Sequence, residues 1–525
     1  MSTYTIVTMS NIISKIPEVA EKLLPPTDSR LRDRIAGFQT QEIVIGVVGY
    51  AGSGTTFTID KLSRILEEEG FTPHTIKART ILESWGKHLG YADPATIVKI
   101  ADKITAYQNL GDELRQKSGE YGAVAGWMAS EVHRIRQDRK DKRQVFLLDS
   151  LKHPAEVELL RQIYGDGFRL IGVGCRPDIR QRRLEIKFHA AENDSTIKDL
   201  ISRDAEDSLN KYGQHVNKTF HLSDYFIDNT VSAEHAKEFR LPDRLKEVFE
   251  KLFTRKTYHP TCDEQGLYFA DAAATNSACL SRQVGAAIVD DNNNLLAIGR
   301  NDVPKASGGL YDNDDDDKDQ GRCYLRGECS NKIHQQKIVE DIISIFDADD
   351  MPDLGDKKEN FRKALAKTRM GSLIEFSRSV HAEMDALISL ARTGTKLPPN
   401  STLYTTTYPC HNCARHIVAA GIKRVVYLEP YKKSLAIDLH DDAIADNLPL
   451  EEVKDRVRFE PYVGVAPRLY QTVYRQVGER KNDGGIALPE ESGRTLRSRL
   501  STRSFSELEA ECESFVKEQG SEGQN

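Results

Sequence analysis

Residues 43 to 49, IVIGVVG, form an unbroken apolar, β-branched run that ends in a glycine-rich turn, Gly49 to Gly54. A run so short and so apolar reads as a strand buried on both faces, an environment that helix-covered parallel sheets provide. After the turn, Ile59, Leu62 and Leu66 recur at helical spacing in FTIDKLSRILEEEG. Further buried strands read at 145 to 148 (VFLL, running into Asp149), 169 to 174 (RLIGVG) and 225 to 227 (within SDYFIDN). The amphipathic stretch HPAEVELLRQIYG separates the first two of these, and a charged helix, LPDRLKEVFEKLFTRK, follows the third. Alternating strands and helices predict an α/β unit with a doubly wound parallel sheet over residues 41 to 255, preceded by an extension of residues 1 to 40.

The alternation breaks at KTYHPTCDE, 256 to 264, and a second unit is expected over 263 to 480. Its pattern reads as a helix (LYFADAAATNSACLS), a hairpin (VGAAIVDDNNNLLAIG, turning at 290 to 294) and then a long excursion from about 303 to 375. The acidic tract DNDDDDKD within it, 312 to 319, reads as a solvated loop; the alternative, a calcium site, lacks the spacing and glycine of an EF-hand. Helix HAEMDALISLA, strand STLYTTT, helix CHNCARHIVAAG and strands RVVYLE and RVRFEPY follow. Residues 481 to 525, rich in Gly, Ser, Arg and Glu, are expected to be a mobile tail with a short helix in SFSELEAECESFV.

With 525 residues the chain exceeds one usual domain, and its net charge of −7 gives no global reason to lie on a polyanion. Neither a secretory leader nor a stretch of roughly 20 apolar residues is visible, so a soluble, cytoplasmic protein with no membrane partner is expected. Eight cysteines are too sparse for a disulfide scaffold, and the pairs Cys323 with Cys329 and Cys410 with Cys413 suggest metal ligation.

The chemistry concentrates in His381-Ala382-Glu383 and Pro409-Cys410-His411-Asn412-Cys413. Two thiolates spaced by two residues at a helix start can converge on one ion, and the positive helix end favours them. His381, opening a facing helix, supplies a third ligand, leaving tetrahedral Zn2+ one open position for water. Zinc brings the pKa of such a water to roughly 7. Glu383, two residues from a ligand, is placed to take the water's proton and hand it on. The competing reading is a structural zinc knuckle; His411 reads as a polar residue of the helix start, and His416 has no assignment.

These two motifs match the general zinc deaminase signature, His-x-Glu with Pro-Cys-x-x-Cys. With CLSRQVGAAIVDDNNNLLAIGRNDVP, VHAEMDALI, LYTTTYPCHNCARHIVAAGIKRVVYLEP and YKKSLAIDLHDDAI, the run from about 267 to 446 resembles the deoxycytidylate deaminase family. The resemblance implies a three-layer α/β/α cytidine deaminase fold with a mixed five-stranded sheet, and free cytosine deoxynucleotides as substrates. Asn301 is then a sugar or base contact, with a turn asparagine as the alternative. Arg282 is a candidate for the nucleotide phosphate, with a plain surface arginine as the alternative, and Tyr431, Lys432 and Lys433 could also face the phosphates. A second, structural zinc drawn from Cys279, Cys323, Cys329 and His334 is a further expectation from the resemblance.

Gly49, Gly52, Ser53, Gly54, Thr55 and Thr56 stand where a phosphate-cradling P-loop would place its residues, and backbone amides can bind a phosphate there without any side chain. Thr55 occupies the lysine position, so phosphoryl transfer should be crippled while nucleotide binding survives. Asp149 reads as the strand-end carboxylate that would hold magnesium for a nucleotide bound there. Residues 43 to about 252 resemble small nucleotide kinases and dephospho-coenzyme A kinases, either as a nucleotide-binding unit or as a regulatory domain with an empty loop. The fusion as a whole is similar to bacterial antiviral deaminases that deplete deoxycytidine nucleotides during phage infection. That resemblance implies dCTP as well as dCMP as substrate, control of activity, inhibition by a small RNA and a homo-oligomer. A polynucleotide cytosine deaminase and a nucleotide- or RNA-sensing binding protein are the alternative functions.

Overall fold

The computed structural model describes residues 42–97, 100–138, 143–192, 194–207, 210–230, 241–254, 257–312, 314–315, 321–346, 355–366, 368–430, 434–448, 450–475, 481, 509–510, 512–514 and 516–517. The first half supplies strands β1 (Ile43–Gly49), β2 (Thr72–Lys77), β3 (Gln144–Asp149), β4 (Phe168–Gly174) and β5 (Tyr225–Asp228). They pair in parallel in the spatial order β5-β4-β1-β3-β2. Every residue of β1 and β3 is buried, as their apolar composition requires. Helix α1 (Thr55–Glu68) lays Ile59, Leu62 and Leu66 on one face, against Ile43, Ile45 and Val47. Val44 and Val48 point the other way, toward Trp85, Leu114, Met128 and Leu160. The sheet is thus covered on both sides, and its connections diverge at β1, the topological switch point of such folds.

The second half supplies β6 (Gly285–Val289), β7 (Leu295–Arg300), β8 (Thr402–Thr407), β9 (Arg424–Glu429), β10 (Ile444–Asp446), β11 (Val457–Pro461) and β12 (Gly464–Val465). The second sheet runs β10-β11-β9-β8-β6-β7, antiparallel on the β7-β6-β8 side and parallel beyond it. It therefore has six strands, not the expected five. The additional one, β10, is three residues long and pairs only with β11, too short to carry an alternation signal. Helix α2 (Cys262–Ala274) covers one face through Leu267 and Ala270. On the opposite face lie α3 (Ala382–Thr393) and α4 (His411–Ala420), which bury Ala382, Ala386, Ala414 and Ile417 against Ala286 and Ile288.

Two glycines let these layers close. A Cβ on Gly285 would collide with the backbone of Ala270 and Ala274 in α2, and one on Gly299 with that of Ala382 and Ala386 in α3. The strands carrying them are pressed onto helices from opposite sides.

The two halves are not beads on a linker. Strand β12 leaves the second unit and pairs antiparallel with β5 on the edge of the first sheet. Val465 and Val473 join the core of the first half, and Tyr404, Val426 and Tyr462 share one apolar cluster with Phe220 and Phe226. Residues 464 to 474 thus pack with the first unit across the sequence boundary near 255 to 263. Lys251 and Glu264, 3 % and 1 % exposed, pair at 3.0 Å across it, and Glu264 also accepts from the Val465 amide.

Within the stretch 481 to 525, Glu509 is fully buried and pairs with Arg136, and Cys512 is buried in the first unit's core. The excursion at 303 to 375 holds helices at Ser330–Phe346 and Lys358–Ala366, tied by Arg362 and Glu340. Of the acidic tract, residues 312, 314 and 315 are described, and Lys305 pairs with Asp315 at 2.8 Å. No helix among the described residues is long and apolar enough to cross a membrane.

Candidate active site

Two helix N-termini meet at one end of a cleft of about 280 Å³. His381 is the N-cap of α3 and Cys410 the N-cap of α4, both with extended backbone. The cap position turns each side chain toward the positive end of its own helix. Cys413 lies one turn further along α4, so its sulfur returns to the same point. His381 Nδ1 stands 3.3 Å from Cys410 Sγ and 3.4 Å from Cys413 Sγ. Among the described residues these three form the one group whose donor atoms all lie within 4.8 Å of one another. One nitrogen and two sulfurs at this separation suit a zinc ion that keeps a fourth position open toward the cleft.

Glu383, 4 % exposed, sits in the first turn of α3, where its carboxylate accepts from Cys413 Sγ at 3.4 Å. Burial pushes its pKa up, opposed by the neighbouring His381. Cys410 is pulled down to about 4, first by its hydrogen bond with Cys413 and then, against burial, by His381. Cys413 is pushed up by the same bond and by burial. His381 rises to about 9 through its bond to Cys410.

Asn301 and Arg282 line the same cleft. Asn301 is 8 % exposed and its amide is already engaged: Nδ2 donates to Arg282 O at 2.8 Å, and Oδ1 accepts from Val284 N at 2.7 Å and from Ser277 Oγ at 2.8 Å. It fixes the loop before β6. Arg282, half exposed, pairs with Glu429 at 2.8 Å. Glu429 was not among the expected site residues, because a glutamate closing the strand RVVYLE carries no spacing signal. Cys279, Cys323 and Cys329 line the cleft, but no three of Cys279, Cys323, Cys329 and His334 bring their donor atoms within 4.8 Å, and His334 instead stacks on Phe376 at 5.3 Å. Tyr431, Lys432 and Lys433 lie outside the described residues. His411 is the first residue of α4, 3.9 Å from Glu375, and His416 bonds to Asn412 O within its own helix.

In the first half, Gly52 and Gly54 take positive φ of 84° and 88°, which bends the chain from β1 into α1. Thr56 Oγ1 donates to Asp149 Oδ2 at 3.0 Å, so the last residue of the glycine-rich loop and the carboxylate expected to hold magnesium are neighbours. Asn229 Nδ2 donates to Ser53 O at 2.7 Å, and the Arg180 guanidinium lies 4.9 Å from the centre of the Tyr50 ring.

Residues 260–429 match the family described as the cytidine and deoxycytidylate deaminase zinc-binding region. The chain is 31% identical to the deoxycytidylate deaminase of Enterobacteria phage T4 over 170 residues, 32% of this chain and 78% of that protein. The chain belongs to the deoxycytidylate deaminase family. Its deaminase region holds all of the cleft residues named above, and the six-stranded sheet is how this family member frames them. A UPF0200 protein of Saccharolobus islandicus is 25% identical over 209 residues, 40% of this chain and 93% of that protein. Among solved structures, the dCMP deaminase from the cyanophage S-TIM5 in complex with dCMP and dUMP is 20% identical, covering 39% of this chain and all of that one, with a TM-score of 0.23.

Proposed function

We propose that the deaminase half converts free deoxycytidine nucleotides, dCMP or dCTP, to deoxyuridine nucleotides and ammonia, with a zinc ion held by His381, Cys410 and Cys413. The observation that carries this reading is their convergence at one end of a cleft, with the buried Glu383 beside them. When bound there, zinc supplies a water acidic enough to be deprotonated near neutral pH. The rest falls to side chains. Glu383 accepts one proton as the water oxygen adds to C4 of the cytosine ring and delivers it to N3, then carries the proton of the new C4 hydroxyl to the departing amine, so that ammonia leaves and the C4 carbonyl forms. Its burial keeps it a better base than a solvated carboxylate, which suits a residue that must both take and give a proton. Arg282 borders the cleft as the candidate cation for the substrate phosphate, held in place by Glu429.

The first half, in this reading, is a nucleotide-responsive unit that governs the deaminase. Depletion of dCTP during phage infection, restraint by a small RNA and assembly into a homo-oligomer complete the proposal. The direct test is ammonia release by the purified protein from dCMP, dCTP and a cytosine-containing oligonucleotide in parallel. Turnover of a free nucleotide is the expected result. Conversion of the oligonucleotide alone would replace this reading with a polynucleotide deaminase.

A further inference from the structure

The glycine-rich loop lacks a lysine at position 55, yet an ammonium stands on it. Lys152, in the segment after β3, places Nζ 3.1 Å from the carbonyl oxygen of Gly49, the first glycine of the loop. The Thr55 side chain abuts the same glycine: a Cβ on Gly49 would come within 2.8 Å of Thr55 Cγ2. Position 55, where the lysine is missing, and the ammonium of Lys152 therefore converge on one residue from two different parts of the chain.

An anion already occupies this place. Asp204, 3 % exposed, accepts from the Ala51 amide at 2.7 Å through one carboxylate oxygen and from Lys152 Nζ at 2.9 Å through the other. A loop amide and a lysine grip this carboxylate as they would a terminal phosphate oxygen. Two polar atoms nearby are left unsatisfied in the present arrangement. The Ser53 hydroxyl, 1 % exposed and turned toward Gly49, has no hydrogen-bond partner, and neither does Arg180 Nη1, although Arg180 is 9 % exposed. Thr56 and Asp149, 3.0 Å apart, offer the oxygens that a magnesium ion takes beside a bound triphosphate.

We propose that Lys152 replaces the missing loop lysine, that the site takes the phosphate end of a magnesium-bound nucleoside triphosphate, and that Asp204 holds the place until the nucleotide displaces it. The inference rests on the reading of the first half as a nucleotide-responsive unit and specifies how that unit binds. Binding requires the Asp204 carboxylate to leave both the Ala51 amide and Lys152, so an empty site is latched shut by its own carboxylate. Asp204 belongs to the helix Ser195–Ala205, and its release frees the end of that helix from the loop.

The test is calorimetric titration of the full chain with ATP and with GTP, each with Mg2+, since neither is a cytosine nucleotide. The wild type binds at least one of them; Lys152→Met weakens that binding fivefold or more; Asp204→Asn tightens it; and adding Thr55→Lys to Lys152→Met restores it. The double variant guards against a trivial loss of folding, because a misfolded chain regains nothing from Thr55→Lys. If the wild type binds and Lys152→Met binds with less than a fivefold loss, or Asp204→Asn binds more weakly, the lysine replacement is wrong and the nucleotide-responsive reading stands. If the wild type binds neither nucleotide, both fall together.

Discussion

The spacing of Glu383 and the three donors around it follows from one ion and two helix starts. His381 and Cys410 must each cap a helix for their side chains to meet, and both do. Cys413→Ser should abolish stoichiometric zinc, checked by metal analysis of the purified protein, whereas Cys323→Ser should leave the catalytic zinc in place. What spacing could not show is how neighbours use up a side chain. Asn301 spends its amide on the loop before β6, and Lys152 meets Gly49 only because β1 and β3 are adjacent in the sheet. His153 and the half-buried His221 add a pH dependence at this scale. Burial lowers His153 from the ordinary 6.5 to about 4, and burial together with Arg282 lowers His221 to about 3. Both stay neutral in the folded protein while the unfolded chain takes up protons below pH 6.5, so stability is full above that value and falls as the pH drops. Between that value and about 4 each pH unit costs up to about 1.4 kcal/mol per such histidine. Urea denaturation at pH 7 and pH 5 should show the loss, and His221→Gln should remove its share.

At the scale of elements, the strongest patterns appeared where expected: β1, β3 and the β6-β7 hairpin are buried or alternate as their composition demands. The elements that escaped notice lack such patterns. Strand β2, TPHTIK, buries one residue of six on a sheet edge, and helix Lys358–Ala366 buries none. Their existence is owed to the neighbours they join rather than to their own periodicity. Gly299 ties this scale to catalysis, since its missing Cβ allows β7 to lie directly against the start of α3. Gly299→Ala should push that helix away and move His381 and Glu383 from Cys410 and Cys413. We expect a fall in kcat of ten-fold or more, measured by ammonia release, with KM changing less.

Across the whole molecule, the sequence suggested two units in succession, and the structure interlocks them. The pairing of β12 with β5 depends on two residues, Gly464 and Val465, too few for any sequence pattern. The buried Lys251–Glu264 pair, the Arg468–Asp224 pair and the shared apolar cluster make independent unfolding of either half costly. Calorimetry should therefore show one cooperative transition. Val465→Asp, which puts a charge into the core of the first half, should lower stability by about 3 kcal/mol or more and affect deamination as well as the glycine-rich loop. Separate transitions with unchanged deaminase activity in that variant would show that the halves are merely tethered.

The central claim is that a cytosine nucleotide is deaminated by a zinc site whose proton is carried by Glu383. The decisive comparison is conversion of dCMP and dCTP by purified wild type and Glu383→Gln, each with its zinc content measured. The account predicts that both proteins hold zinc at His381, Cys410 and Cys413, that the wild type releases ammonia and a deoxyuridine nucleotide, and that Glu383→Gln is at least a thousandfold slower. Wild-type turnover retained in a zinc-loaded Glu383→Gln protein would contradict it.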